Sequence, residues 1–194
     1  MKTNLTEIIF LLDRSGSMAG LEADTIGGFN GFVKKQHGLG ETLITTVLFD
    51  NQYELLHNGV PAETAVLTNK EYFTRGTTAL LDAVGKTILD VGNRLSHTPE
   101  DDRPEKVIFV ITTDGMENAS REFSYPKVTE MITRQKDIYG WEFIFMGANI
   151  DSSAVGAKIG LSEEACFKYK ASRKGTQAMF NAVCECVGDM RETK

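Results

Sequence analysis

The sequence predicts an α/β protein built on a doubly wound, mostly parallel sheet, with one antiparallel edge strand and helices on both faces. Three observations carry this. Apolar runs at residues 8–12, 107–111 and 141–146, the last interrupted only by Glu142, each end in small or polar residues, as strands buried on both faces do. The stretches between them have helical spacing, which makes strands and helices alternate. Residues 42–49 and 53–57 are separated only by the turn residues around Asp50-Asn51, too few for a parallel crossover.

Taken in order, the run at 8–12 leads through Asp13, Ser15 and Ser17 to a helix over 21–36, with Leu21, Ile26, Phe29, Phe32 and Val33 on one side. Gly27, Gly28 and Gly31 weaken that helix by ~1 kcal/mol each relative to alanine, and imply close packing on the sheet. The hairpin of 42–49 and 53–57 follows. Residues 60–74 read as irregular, with a short helix beginning at Thr68 or Asn69. After the loop Arg75-Gly76-Thr77-Thr78, Leu80, Leu81, Val84, Ile88, Val91 and Leu95 form the stripe of an amphipathic helix over 79–95. A charged loop over 97–105 precedes the strand at 107–111, which ends in Thr112-Thr113-Asp114-Gly115. Proline at 126 suits the first turn of a helix over 126–139. The strand at 141–146, a short helix over 152–158, a short strand over 166–170 and a helix over 174–190 complete the chain.

The 194 residues fit one domain, 1–194, with no internal repeat or linker. Twenty-one basic against 27 acidic residues gives a net charge of −6, which argues against a nucleic-acid partner. No apolar run approaches the ~20 residues needed to cross a bilayer. The N-terminus lacks the pattern of a signal peptide. Three cysteines, at 166, 184 and 186, cannot form a disulfide framework, and a cytoplasmic location is expected.

Three loops carry the chemistry: Asp13-x-Ser15-x-Ser17, Thr77-Thr78 and Asp114-Gly115. Strand ends of a doubly wound sheet gather along one edge, so sequence separation is no obstacle to their meeting. Two carboxylates and three hydroxyls are hard oxygen ligands, suited to Mg²⁺, Mn²⁺ or Ca²⁺. Alternatives fit less well. Met18 stands where an EF-hand loop needs glycine, a P-loop lacks its Gly-Lys-Ser/Thr, and Ser15 replaces the second carboxylate of an aspartyl phosphatase. Capping of a helix start remains the plain alternative for Asp13, Ser15 and Ser17.

Asp13-Arg-Ser15-Gly-Ser17 resembles the Asp-x-Ser-x-Ser signature of the von Willebrand factor A (VWA) domain family. Gly76-Thr77-Thr78-Ala79-Leu80-Leu81-Asp82 is similar to that family's second loop, and Thr112-Thr113-Asp114-Gly115 to its third. The resemblance spans essentially the whole chain and looks like the small stand-alone bacterial or phage type. It implies a Rossmann-like sheet and a complete metal-ion-dependent adhesion site. Asp13, Ser15, Ser17 and Thr78 would contact the cation directly or through water, and Asp114 usually through water. Of the adjacent Thr77 and Thr78, the Gly-x-Thr spacing favours Thr78. The implied partner is a protein presenting an Asp or Glu side chain, with ATPases and stress-response proteins as family company.

The expected function is therefore a non-enzymatic, Mg²⁺-dependent protein-binding module. The alternative is a metal-assisted phosphoester hydrolase using Asp114 or Glu117 as base, and a third reading is a metal-free scaffold. Around the site, Asp82 reads either as an acceptor orienting ligand hydroxyls or as a capping or solvated residue. Glu117 and Asn118 read as turn residues, or as a rim selecting partners. Asn149 and Asp151 read as caps for the helix at 152, or as rim. Cys184-x-Cys186 reads as one buried and one partly exposed thiol, and His37, His57 and His97 have no paired nucleophile.

Overall fold

The computed structural model describes residues 1–192. It contains six strands and five helices: β1 (Lys2–Asp13), α1 (Glu22–Gly38), β2 (Thr42–Phe49), β3 (Tyr53–Pro61), α2 (Leu80–His97), β4 (Pro104–Thr113), α3 (Tyr125–Tyr139), β5 (Glu142–Ala148), α4 (Ser152–Lys158), β6 (Cys166–Tyr169) and α5 (Arg173–Glu192). The strands form one sheet in the order β3-β2-β1-β4-β5-β6, parallel throughout except for the antiparallel pair β2–β3. The predicted fold class is the observed one.

Strand parity sorts the core into two layers. Ile9 and Leu11 of β1 face α2, α3 and α4, meeting Val84, Ile88, Val128 and Val155. Ile8, Phe10 and Leu12 face α1 and α5, where the Phe10 ring meets those of Phe29, Phe32 and Phe180. Full burial of each such side chain contributes ~1.5–3 kcal/mol, so β1, covered on both faces, anchors the fold.

Chain order positions the site. From β1 the chain runs outward through β2 to β3, then crosses back to β4 on the other side of β1. The sheet order therefore reverses between β1 and β4, the place where open α/β sheets bind ligands beyond the strand ends.

Some expectations are corrected. No helix forms at 68–69. The Glu71 side chain accepts from both the backbone N–H and the hydroxyl of Thr68, closing a single turn instead. Of the α1 glycines, Gly28 packs against the Phe180 ring of α5 and not against the sheet, while Gly27 and Gly31 meet nothing. β3 runs to Pro61 and β4 starts at Pro104, both beyond the expected limits. All three cysteines are half-buried. Among the described residues no helix is long and apolar enough to cross a membrane.

Candidate functional site

The carboxyl ends of β1 and β4 bring Asp13 and Asp114 to the same edge of the sheet. Asp13 is 1% exposed and Asp114 8%. Asp13 Oδ1 accepts from the Ser15 N–H at 2.7 Å, and its Oδ2 accepts from the Thr113 hydroxyl at 2.6 Å. Ser17 Oγ donates to Asp114 Oδ1 at 2.6 Å and lies 3.1 Å from Ser15 Oγ. A chain of polar groups thus runs Asp13, Ser15, Ser17, Asp114. Ser15 makes no side-chain cap to the helical turn Gly16–Met18 that follows it, and Ser17 lies within that turn, so capping of the turn does not account for them. That turn seats Met18 in the core and leaves Ser17 exposed at the surface.

The second loop is stitched to the first by backbone bonds, Gly16 N–H to Gly76 O at 3.2 Å and Arg75 N–H to Arg14 O at 2.9 Å. Gly76 has φ +65°, and a Cβ there would fall 2.0 Å from Asn51 Oδ1, so only glycine fits. Thr78 is buried and Thr77 exposed. A Cβ on Gly115 would sit 3.0 Å from Thr78 Oγ1 and 3.7 Å from Ser17 Oγ, which places the Thr78 hydroxyl beside the Asp114 loop. Thr78 and Asn118 exchange two bonds, Thr78 N–H to Asn118 Oδ1 at 2.9 Å and Asn118 N–H to Thr78 O at 3.0 Å. All five predicted residues, Asp13, Ser15, Ser17, Thr78 and Asp114, therefore stand at one edge on three mutually bonded loops.

Their electrostatics are unbalanced. Burial pushes the Asp13 carboxyl above its ordinary range, against the opposing hydrogen bonds from Ser15 and Thr113, and the nearby charge of Asp114 adds to the rise. Burial also raises Asp114, opposed mainly by the Ser17 hydroxyl. Among the described residues neither carboxylate forms a salt bridge. The adjacent cation, Arg14, points away from them.

Arg14 occupies the x of Asp-x-Ser and is fully buried, a role that no pattern in the sequence discloses. Its Nε donates to Asp50 Oδ2 at 3.0 Å and its Nη1 to Glu54 Oε2 at 2.7 Å. Arg75 also donates to Asp50 Oδ2, at 2.8 Å, and both guanidinium groups lie over the Phe73 ring. Asp50 closes the β2–β3 turn through Gln52 and offers its carbonyl to the Ala79 N–H. This buried network fastens the hairpin to the first two loops.

The flanking residues take structural roles. Glu117 accepts four bonds, from the N–H groups of Leu81, Ala119 and Ser120 and from the Ser120 hydroxyl. Asp82 accepts from the N–H groups of Arg121, Glu122 and Phe123. These carboxylates fold the long 114–124 loop onto α2, so Asp82 is a cap for that loop. Asp151 caps α4 through the Ala154 N–H at 3.0 Å, whereas Asn149, at φ +55°, accepts from Ala171.

Among the described residues no three His, Cys, Asp or Glu side chains come together, so any cation here would rest on hydroxyls as much as on carboxylates. The donor set fits a hard divalent ion: two buried carboxylates without a counter-charge, bridged by serine hydroxyls, with the Thr78 hydroxyl alongside.

No family model and no curated protein matches the sequence. Solved structures do resemble the chain. The vWF domain of the type V pili tip protein Mfa5 from Porphyromonas gingivalis superposes with a TM-score of 0.73 at 10% identity, covering 100% of this chain and 98% of that one. Manganese-loaded TRAP protein from Plasmodium vivax gives 0.64 at 18% identity, over 92% of this chain and 73% of its own. Proximal thread matrix protein 1 from the mussel byssus gives 0.67 at 16% identity over 95% of this chain, which spans only 46% of the mussel protein. Sheet order, the loop positions and these superpositions agree: the chain has the fold of a von Willebrand factor A domain.

Proposed function

We propose that the chain is a divalent-metal-dependent protein-binding module, not an enzyme. Asp13, Ser15, Ser17, Thr78 and Asp114 hold Mg²⁺, with Mn²⁺ or Ca²⁺ as possible substitutes, and an Asp or Glu side chain of a protein partner completes the coordination. The carrying observation is the pair of buried carboxylates, joined through Ser17 and Ser15 and lacking any protein cation among the described residues. A divalent ion supplies two positive charges to this site, leaving it able to accept one further anionic ligand. The manganese-loaded state of the TRAP protein supports the reading. So does the engagement of Glu117 by four donors, which occupies one of the two bases, Asp114 and Glu117, open to a hydrolase.

Calorimetric titration of Mn²⁺ tests this. Wild type and Thr77→Ala are expected to bind one ion, Asp13→Ala none, and Thr78→Ala roughly tenfold more weakly. Equal binding by wild type and Asp13→Ala would refute the assignment.

A further inference from the structure

On the face that carries α2 and α3, a groove of about 690 Å³ lies between the two helices and reaches the start of β4. Its floor is apolar and buried, formed by Ile88, Val107, Met131 and Trp141. α2 keeps it open at Gly92, where even a Cβ would come to 3.9 Å from the Trp141 ring. Three of the eight large apolar side chains exposed among the described residues stand along it: Met1, Leu89 at 56% exposure and Tyr139 at 57%. Single exposed apolar residues need no explanation, but a cluster beside an apolar groove marks an interaction surface.

The rim indicates what covers it. Arg103, Lys127 and Arg134 are balanced by Glu100, Glu105 and Glu130, so the rim suits neither a polyanion nor a polycation. Charges of both signs in equal number fit a surface to a copy of itself, since across a two-fold axis residue i meets j and j meets i. α3 supplies the pairing. Glu130 and Arg134 sit one turn apart, both on the groove side. Arg134 makes no salt bridge among the described residues, and Glu130 only the exposed pair with Lys127 at 3.0 Å. Two copies of α3 laid antiparallel bring each Glu130 to Arg134 of the partner subunit.

We propose that the chain forms a two-fold dimer through this groove, held by that reciprocal pair, with Leu89 and Tyr139 of each subunit covering the apolar floor of the other. The dimer leaves both cation sites open, because the groove takes in the Pro104 end of β4 and Asp114 follows its opposite end. Two such sites on one particle give avidity toward a partner with repeated acidic groups. That consequence rests on the metal-binding reading above; the dimer itself does not.

Sedimentation velocity in chelator tests the proposal. Wild type is expected to sediment as a dimer. Arg134→Glu and Glu130→Arg are each expected to raise the dissociation constant roughly tenfold or more, since each sets like charges together twice across the two-fold axis. The double exchange, Glu130→Arg with Arg134→Glu, is expected to restore the wild-type constant. A monomeric wild type would overturn the inference and leave the groove to a different occupant. Single variants that dimerise as wild type does, or a double exchange no tighter than the single variants, would also overturn it. If a single variant does not fold by circular dichroism, the exposed Leu89 decides: Leu89→Ser is expected to fold and be monomeric, and a folded dimer would count against the groove. None of these outcomes bears on the cation site, which the Mn²⁺ titration tests separately.

Discussion

Asp13 and Asp114 are held in a state that costs the folded protein stability unless a cation is present. Burial raises both carboxyls above the ordinary value of 3.8. In chelator the folded chain therefore binds these protons more tightly than the unfolded chain does. The contribution of these two carboxyls to stability is fully present below that ordinary value and is lost as pH rises through the raised ones. Asp114→Asn removes part of this loss, and at neutral pH in chelator it is expected to melt about 2–4 °C above wild type. Mn²⁺ affinity should run the opposite way, weakening as pH drops through the same window, because bound cation and proton compete. A melting series with and without chelator between pH 3.5 and 8 checks both signs. An Asp114→Asn protein less stable than wild type at pH 7 in chelator would contradict the account. That Asp13, Ser15, Ser17, Thr78 and Asp114 gather at one edge was legible at this scale, since they stand in recognisable spacing at strand ends and loops. Arg14 was not, because nothing in local pattern says that an arginine will be fully buried against Asp50 and Glu54.

At the level of elements, the unusual feature is the 114–124 loop, which has no regular structure and is folded by two carboxylates. Glu117 caps the start of α2, and Asp82 of α2 reciprocates by capping residues 121–123. The Phe123 ring then packs on Gly85, where a Cβ would come within 2.4 Å. Asp82→Ala removes the acceptor of three backbone N–H groups, of which only that of Phe123 is part-buried, and is expected to cost ~1–3 kcal/mol. It should also loosen the backbone around the exposed Arg121, seen as faster tryptic cleavage at that bond by mass spectrometry. Unchanged cleavage would mean that the loop is held otherwise. Helices and strands with continuous apolar patterns were readable to within a few residues, as with α4 at Ser152–Lys158. The misreadings have a common origin in tertiary partners. Gly28 serves the α1–α5 contact, and the extra length of β1 includes the buried Glu7, whose Oε1 accepts from Arg94 of α2 and Thr45 of β2, both outside the strand. Such partners are far away in sequence and leave no local signal.

For the molecule as a whole, the fold arranges two functions on one strand. β1 is the central anchor of both hydrophobic layers, and its carboxyl end leads into three of the five proposed cation ligands, Asp13, Ser15 and Ser17. Metal binding should therefore register in global stability by mass action. Mn²⁺ at 100 times its dissociation constant contributes about 2.7 kcal/mol, a rise of roughly 5–10 °C in melting temperature for a chain of this size. Differential scanning calorimetry should show that rise for wild type and none for Asp13→Ala.

The central claim, that three loops at the β1–β4 edge hold one divalent ion, is tested most directly by anomalous scattering from crystals soaked in Mn²⁺. The account predicts a single anomalous peak within coordinating distance of Ser15 Oγ and Ser17 Oγ, absent from crystals of Asp13→Ala. A wild-type crystal with no peak there, or with its peak elsewhere on the molecule, would contradict it.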